Sequence, residues 1–410
     1  MLAMDIKMAW RNIWRNPRRT TVILVAVVIG VWSMIFLGAL MRGIIQGMIH
    51  NGISTLTGHV QIHQRRYTDD PSVDHCIENP TDITEALGRL LPAGSHWAAR
   101  VRVNAIAGNA RHNGSITLVG IDPQREKALS FIGSAVDGGR YLQAGDAHAI
   151  LIGRALAKRF ETGLGRKLIL MTQDRSGKIA SRAFRIAGIF QAEMEATEKT
   201  YVFVTRVSAQ RMLAVGKAVS EISILLPDPD QVSSIVRVLD ANLAGRQLSI
   251  RSWQQALPLL KAYLDLYDSF ILIWFVVVFV AMGFGILNTT LMAVFERMRE
   301  FGLLKALGLR PIRIVRGILT EALIILLIGM FIGNALGLLS CWALSFHGID
   351  LSALAQGVEY AGMSRVILPQ VLARDLINAN LVVLLLGLLV SLYPALKAAR
   401  FTPVEAMAHN

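Results

Sequence analysis

Long runs of apolar residues dominate the C-terminal third of the chain, and one more lies near the N-terminus. Four stretches contain no Asp, Glu, Lys or Arg, namely 20–41, 269–295, 322–349 and 376–396. A helix needs about 20 such residues to cross the hydrocarbon core of a bilayer. The pattern therefore predicts four transmembrane helices.

The segment 42–268, between the first and second apolar stretches, has the mixed pattern of a folded domain. Short runs that alternate polar and apolar residues are typical of half-buried strands. The pattern predicts strands at 58–64, 115–120, 167–172, 182–190, 201–205 and 221–226, and helices at 81–91, 154–160, 208–214 and 230–243. The fold class that follows is an α-helical integral membrane protein with four transmembrane helices and a large α+β domain between the first and second.

Charge places these parts on two sides of a membrane. Of 410 residues, 17% are charged, against about 25% in an average protein. The net charge is +13, with five Lys and Arg in residues 1–20 and six in the loop 296–316. Because Lys and Arg are enriched in cytoplasmic loops, we expect both termini and this loop to be cytoplasmic and the large domain to lie outside, on the opposite side of the membrane. No basic run with interleaved aromatic residues occurs, so nucleic acid is not an expected partner.

Known catalytic and metal-binding patterns are absent. Neither Gly177-Lys178 nor Gly216-Lys217 is followed by Ser or Thr, so the sequence has no Walker A motif. His59 and His63 fall on one face of a predicted strand, and two histidines lack the third and fourth ligands that a metal needs. We interpret that face as solvated, and we expect the chain to be no enzyme and to hold no metal and no cofactor.

Three features of the membrane segments predict helix contacts. Gly329, Gly333 and Gly337 recur every fourth residue and so line one helix face, where another helix can approach closely. A contact in a moving bundle, a dimer contact and static packing within one chain all satisfy this spacing. Glu321 is expected to reach the membrane interface. The basic segment 6–15 carries Trp10 on its amphipathic face and predicts an interfacial helix.

The loop after the second apolar stretch predicts a short amphipathic helix over 296–308, which ends at a glycine. Its apolar residues cannot all be covered by so small a loop. Such a helix suits docking of a soluble partner, and the competing interpretation is a helix that lies flat on the membrane. The residues assigned to this contact are Glu296, Arg297, Glu300, Phe301, Leu304, Lys305, Leu307 and Gly308.

Several segments, in the correct order, resemble the FtsX-like or MacB-like permease family of bacterial ABC transporters. WRNIWRNPRRT resembles the family's N-terminal amphipathic helix, and NTTLMAVFERMREFGLLKALGLRP resembles the end of its second membrane helix with the coupling helix. YPALKAARFTPVEAMAH resembles its C-terminal signature. LIGRALAKRF, GLGRKLILM and FRIAGIF, with IDP at 121–123, resemble its periplasmic core domain.

The resemblance implies an inner-membrane permease that works with a dimer of a separate ABC ATPase subunit and with a second permease copy or a paralogous permease. That ATPase, not this chain, would bind ATP and Mg. Such permeases transmit ATPase closure to the periplasmic domain, a process called mechanotransmission. The implied segments are an amphipathic helix at 1–19, the first span at 20–45, the periplasmic domain at 46–262, a stalk and second span at 263–295, the coupling helix and loop at 296–316, the third span at 317–346, a periplasmic loop at 347–375, the fourth span at 376–396 and a cytoplasmic tail at 397–410.

Length and layout are most similar to the lipoprotein-releasing, or Lol-type, permeases, which implies release of lipoproteins or other lipid-linked substrates to a periplasmic carrier. The turn 173–181 is shorter than the hairpin with which one subunit of those permeases catches the carrier, so a sister subunit could take that role instead. The family also contains efflux permeases for peptides or antibiotics with a periplasmic adaptor, and non-transporting signalling permeases that regulate cell-wall hydrolases. Membrane lipids and acyl chains would meet a cavity lined by Met34, Leu37, Leu40, Met41, Ile271, Phe275 and Phe279.

Overall fold

The computed structural model describes residues 2–350 and 366–402, and the chain divides into two units. We call Gln46–Leu264 the α/β unit. The helical unit is formed by Met1–Ile45, Asp265–Asp350 and Val366–Asn410. The predicted loop and tail fall partly on 351–365 and 403–410, which lie outside the described residues.

Helices form most of the helical unit and flank the sheet of the other unit. They are α1 (Leu2–Arg15), α2 (Pro17–Gly52), α3 (Pro80–Leu90), α4 (Pro123–Glu126), α5 (Arg154–Arg159), α6 (Glu195–Thr200), α7 (Arg206–Leu213), α8 (Val232–Asn242), α9 (Trp253–Ala256), α10 (Pro258–Glu296), α11 (Met298–Ala306), α12 (Pro311–Ser345) and α13 (Ala373–Arg400). Among the described helices, α2, α10, α12 and α13 are long and apolar enough to cross a membrane. The four predicted spans are thus confirmed.

The long helices extend beyond the uncharged stretches that predicted them. A proline opens α2, α10 and α12, and proline suits this position because the first helical N–H has no partner within the helix. α12 begins inside the loop predicted at 296–316, and α13 continues into the predicted tail. The uncharged stretch marks only the part of a helix that hydrocarbon must cover, while the charged end turns continue past it.

The α/β unit is built on one mixed sheet of ten strands, which confirms the predicted α+β domain between the first and second spans. The strands are β1 (Val60–Gln64), β2 (His96–Gly108), β3 (Asn113–Ile121), β4 (Val136–Gly139), β5 (Ala149–Gly153), β6 (Lys167–Gln173), β7 (Ile179–Phe190), β8 (Tyr201–Thr205), β9 (Glu221–Leu225) and β10 (Leu248–Ser252), with a separate pair, β11 (Ile349–Asp350) and β12 (Val366–Ile367), in the helical unit. The order is β10-β1-β9-β2-β3-β8-β5-β7-β4, and β6 pairs with β2 and β7.

The interpretation of His59 and His63 as a solvated face is wrong. β1 lies between β9 and β10, and both histidines are buried, each with 6% of its surface exposed. His59 Nδ1 accepts a hydrogen bond from the Leu226 N–H at 2.9 Å, and the His63 ring stacks on Tyr67 at 5.1 Å. A strand covered on both faces places its polar residues inside, where they need partners within the protein.

A fully buried ion-pair network joins the sheet to the turn that follows α2. Arg100, on β2, is bound by Glu126 at 2.7 Å and by Glu221 at 3.1 Å, and it also donates to Ser223 and to the carbonyl of Leu56. Burial alone would lower the pKa of Arg100, but the two carboxylates outweigh it and raise that pKa. Leu56 lies in the single π-helical turn Ile53–Thr57, so the network holds this turn against β2.

Candidate functional site

The predicted cytoplasmic helix is present as α11, which is shorter than the predicted range 296–308. The backbone turns at Arg297, with φ −103° and ψ 9°, and this turn separates α11 from α10. At the other end Gly308 adopts φ +88°, a conformation that favours glycine. Its N–H donates to the Lys305 carbonyl at 2.9 Å. The chain then enters α12 at Pro311.

One face of α11 packs against the helix bundle. Met298 and Phe301 are 5% and 6% exposed, and Phe301 packs with residues of α10, α12 and α13. Lys305 Nζ donates to the carbonyl of Phe401 at 2.6 Å and to that of Ala399. Carbonyls at a helix C-terminus lack partners within the helix and attract a cation. α11 is therefore bound to the end of α13.

Away from the bundle, α11 and the residue that follows it expose three leucines. Leu303, Leu304 and Leu307 are 57%, 40% and 77% exposed. The sequence predicts Phe301 on the surface that a partner could reach, and the structure buries it instead. Leu303 is missing from the predicted contact, because the helical period alone does not say which side of a short helix the bundle covers. Leu303, Leu304 and Leu307 are therefore the exposed large apolar side chains of this segment among the residues that the structure describes.

Three charged residues of this segment, Glu296, Arg297 and Glu300, have partners in the structure. Arg297 Nη1 lies 2.9 Å from Glu321 Oε1, and Arg297 Nε lies 3.1 Å from Glu300 Oε2. Glu296 accepts from Asn16 and Arg19. Glu321, which the sequence predicts at the membrane interface, has a side chain that is 14% exposed and is held by Arg297 and Asn12. A carboxylate with so little access to water needs partners within the protein.

A cavity of about 490 Å³ lies between α2, α10 and α13 in the helical unit. Of the residues predicted to line a substrate cavity, Met34, Ile271 and Phe275 do so. The other four, Leu37, Leu40, Met41 and Phe279, are not in its lining, and each is half-buried elsewhere in the unit. The third wall, which is the start of α13 and the segment before it, was not predicted from the sequence.

That third wall contributes polar residues to the cavity, beside apolar ones such as Val371 and Leu376. Arg42 of α2 binds Asp375 of α13 through two hydrogen bonds, of 2.6 and 2.8 Å, and both residues line the cavity. Gln370 and Arg374 also line it. The cavity thus combines apolar residues of α2 and α10 with the Arg42–Asp375 pair, and apolar linings with a few polar groups are typical of ligand pockets.

The three glycines of α12 face α2 within the same chain. A Cβ atom on Gly329 would lie 2.6 Å from Val27 Cγ1, and one on Gly333 would lie 2.8 Å from Val31 Cβ. At Gly337 the distance to Ile35 Cγ2 would be 3.0 Å. We call this contact the glycine seam. Its partner in the structure is α2, which corresponds to packing within one chain.

The described residues contain no group of three or more His, Cys, Asp or Glu side chains that could hold a metal ion.

Four spanning helices, a short amphipathic helix between the second and third, and an α/β unit inserted between the first and second define a multi-pass membrane protein with a large extramembrane domain. The sequence profile of the MacB-like periplasmic core domain matches residues 20–241, more than half of the chain, and that of the FtsX-like permease C-terminal domain matches residues 270–403. The chain belongs to this family of ABC transporter permeases, which are multi-pass proteins of the inner membrane.

Similar proteins carry two kinds of name. The chain is 22% identical to the lipoprotein-releasing system transmembrane protein LolC of Xylella fastidiosa, over 79% of this chain and 80% of that protein. It is 23% identical to the macrolide export ATP-binding/permease protein MacB 2 of Aeromonas hydrophila, over 98% of this chain and 60% of that protein. The crystal structure of the periplasmic region of MacB from Actinobacillus actinomycetemcomitans aligns with 52% of this chain and 95% of its own, at 15% identity and a TM-score of 0.36.

Proposed function

We propose that this chain is the permease subunit of a bacterial ABC transporter in which a dimer of a separate ATPase subunit docks on α11. ATP hydrolysis in that partner, which binds ATP and Mg, would move the periplasmic α/β unit. A second copy of this chain or a paralogous permease would complete the membrane part. Both termini would be cytoplasmic.

The observation that carries this proposal is the exposed leucine face of α11. Leu303, Leu304 and Leu307 form an apolar surface on a helix whose other face is fixed by Phe301 and Lys305. Apolar patches in an otherwise polar setting are typical of partner surfaces. Because α11 is attached to α10, α12 and α13, a force applied to it reaches three membrane helices.

The test replaces Leu304 with aspartate and measures how much ATPase co-purifies with the permease and how fast the complex hydrolyses ATP. Both should fall strongly, because a charge in the centre of an apolar contact must be desolvated. Ile312→Asp is the matched control, since Ile312 is 59% exposed near this segment but lies on α12. Full recovery of the ATPase with Leu304→Asp would count decisively against docking at α11.

For the substrate, we propose lipoproteins or other lipid-linked molecules that are released from the inner membrane. The cavity of about 490 Å³ supports this class, because Met34, Ile271 and Phe275 suit acyl chains and the Arg42–Asp375 side suits a polar head. Each buried methylene of an acyl chain contributes about 0.8 kcal/mol. A periplasmic carrier would take the released substrate.

Photo-crosslinkers distinguish a substrate cavity from ordinary lipid contact. A crosslinker at Phe275 should capture lipidated substrate, and the capture should disappear when acylation of that substrate is blocked. The same crosslinker at Val276, which is 52% exposed and outside the cavity lining, should capture bulk phospholipid only. Phospholipid alone at both positions removes lipoprotein release and leaves the permease proposal intact.

The second candidate function is efflux of peptides or antibiotics with a periplasmic adaptor. The alignment with a macrolide export protein over 98% of this chain favours it. Deletion of the gene in its own host separates the two functions. Accumulation of lipoproteins in the inner membrane supports release, whereas sensitivity to antibiotics with normal lipoprotein sorting supports efflux.

A further inference from the structure

Three glutamates at the cytoplasmic end of the helical unit are each bound by a residue from the N-terminal segment. Arg15 binds Glu300 at 2.9 Å, and Asn12 binds Glu321 at 2.7 Å. Asn16 and Arg19 bind Glu296 at 3.1 and 3.3 Å. These acids lie on α11, on α12 and at the end of α10. The N-terminal segment therefore contacts α10, α11 and α12 where these three helices meet.

Arg297 is the centre of this network. It lies at the turn between α10 and α11, binds Glu321 and Glu300, and places its guanidinium 5.1 Å from the ring centre of Phe301. The side chains of Arg297 and Glu321 are each 14% exposed. Water competes little for such a pair, and removing either partner would leave a charge in a partly buried place. The pair thus fixes the point about which α11 can turn.

The ion pair between α1 and α11 is exposed to water, unlike the Arg297–Glu321 pair. The side chains of Arg15 and Glu300 are 52% and 47% exposed, so water competes for both. Burial opposes ionisation of Glu300, but hydrogen bonds from Arg297 and Arg15 hold its pKa below the usual value, so it is charged at neutral pH. An exposed ion pair of this kind is weak and can open without loss of the fold.

α1 itself is firmly placed. Ala9 and Ile13 are 2% and 3% exposed, and Ile13 belongs to the apolar core of the helical unit. Trp10 and Trp14 lie on the other side, 48% and 59% exposed, with their rings 6.0 Å apart. Tryptophan on an exposed face of a basic helix suits the headgroup region of a bilayer. A displacement of α11 would therefore separate Glu300 from Arg15 rather than carry α1 along.

We propose that α1 is a latch on the coupling helix. The Arg15–Glu300 pair is closed while the ATPase leaves α11 at rest, and it opens when the ATPase displaces α11 about the Arg297–Glu321 pair. The two positions of α11 then differ in free energy by a contact that belongs to this chain, which is what coupling between two sites requires. This inference rests on the proposed function, because it assumes that the ATPase docks on α11.

The experiment uses charge reversal in the complete permease–ATPase complex in lipid nanodiscs. Arg15→Glu and Glu300→Arg should each open the latch, raise ATP hydrolysis without substrate by about two- to fivefold, and lower the substrate moved per ATP by a similar factor. The double variant Arg15→Glu/Glu300→Arg restores the pair with its charges exchanged. It should return both quantities to near the wild-type values.

Arg11→Glu is the matched control. It makes the same change of charge on the same helix, and Arg11 is exposed and has no ion pair within the described residues, so both quantities should stay unchanged. If Arg15→Glu prevents folding, Arg15→Gln and Glu300→Gln open the pair without reversing charge.

Two results would overturn the latch. One is a wild-type ratio of transport to hydrolysis in both single variants. The other is a double variant that stays defective, which would mean that Glu300 contacts the ATPase directly. Failure of the proposed function is a separate result, because it appears as ATPase recovery that Leu304→Asp does not change.

Discussion

The two units of this protein use arginine in opposite ways. In the α/β unit, Arg100 is completely buried between Glu126 and Glu221, and its hydrogen bonds hold a backbone turn against the sheet. In the helical unit the interior is apolar and packed along glycines, and the Arg15–Glu300 pair lies at one end of the bundle with both side chains about half exposed. Removing one partner of a buried ion pair leaves an uncompensated buried charge, whereas a solvent-exposed ion pair can open at little cost in free energy. We therefore call the Arg100 network the fixed joint of the molecule and the Arg15–Glu300 pair its adjustable joint.

The largest expected effect is at the fixed joint. Arg100→Met leaves buried Glu126 without its cation and Glu221 with Arg102 alone, and should destabilise the α/β unit by about 3–5 kcal/mol. Hydrogen exchange of the amides of β2 and β9 in the full-length protein would measure this as lost protection. Arg111→Met is the control, because the Arg111–Glu161 pair has side chains 79% and 62% exposed and its loss should change little. Equal protection in the two variants would break the comparison.

The next effect tests the interior of the helical unit. Gly333→Val would bring a Cβ within 2.8 Å of Val31 and 3.0 Å of the Val28 carbonyl, so one helix must move. Overpacking of this kind costs about 1–3 kcal/mol. The measurement is the thermal transition of the purified protein in nanodiscs. Gly317→Val on the same helix has no atom within 4 Å of the new Cβ and should be tolerated, and an equal loss at both positions would contradict the seam.

The smallest expected effect is the pH dependence of the stability of the α/β unit, to which the buried His63 contributes. Burial lowers the pKa of His63 below its ordinary value of 6.5, because the charged ring is desolvated. The unfolded chain then binds a proton at about pH 6.5 and the folded chain does not, so this histidine makes stability fall as the pH drops below that point. The slope is at most about 1.4 kcal/mol per pH unit. Urea unfolding at pH 7 and pH 5 should show a smaller difference in His63→Gln than in the half-exposed control His112→Gln.

The sequence predicted those features that leave a local signal. Hydrocarbon demands an unbroken apolar stretch, so the four spans could be read directly, and the glycine after Leu307 marked the end of the coupling helix. The interior of the sheet left a weaker signal. β1 alternates like a half-buried strand, yet the side chains on both of its faces are buried, and β9 and β10 pair with its two edges.

Long-range pairs left no signal. Asn12 and Glu321 are 309 positions apart, and nothing around either residue indicates the other. Only part of the cavity lining was predicted, because the rest of it depends on contacts between residues that are far apart in the sequence. Met34, Ile271 and Phe275 could be placed on outer halves of predicted spans, whereas the polar part of the lining depends on how Asp375 meets Arg42 across the bundle.

The glycine seam also limits how α2 can travel along its own axis. Gly329, Gly333 and Gly337 face Val27, Val31 and Ile35, so both sides of the contact repeat every four residues. Four residues of α-helix rise about 6 Å. A shorter slide would drive the branched side chains of α2 from the glycines into the bulkier positions between them. α2 and α12 therefore behave as one rigid body for displacements shorter than that repeat, and a lengthwise movement of either helix carries the other with it.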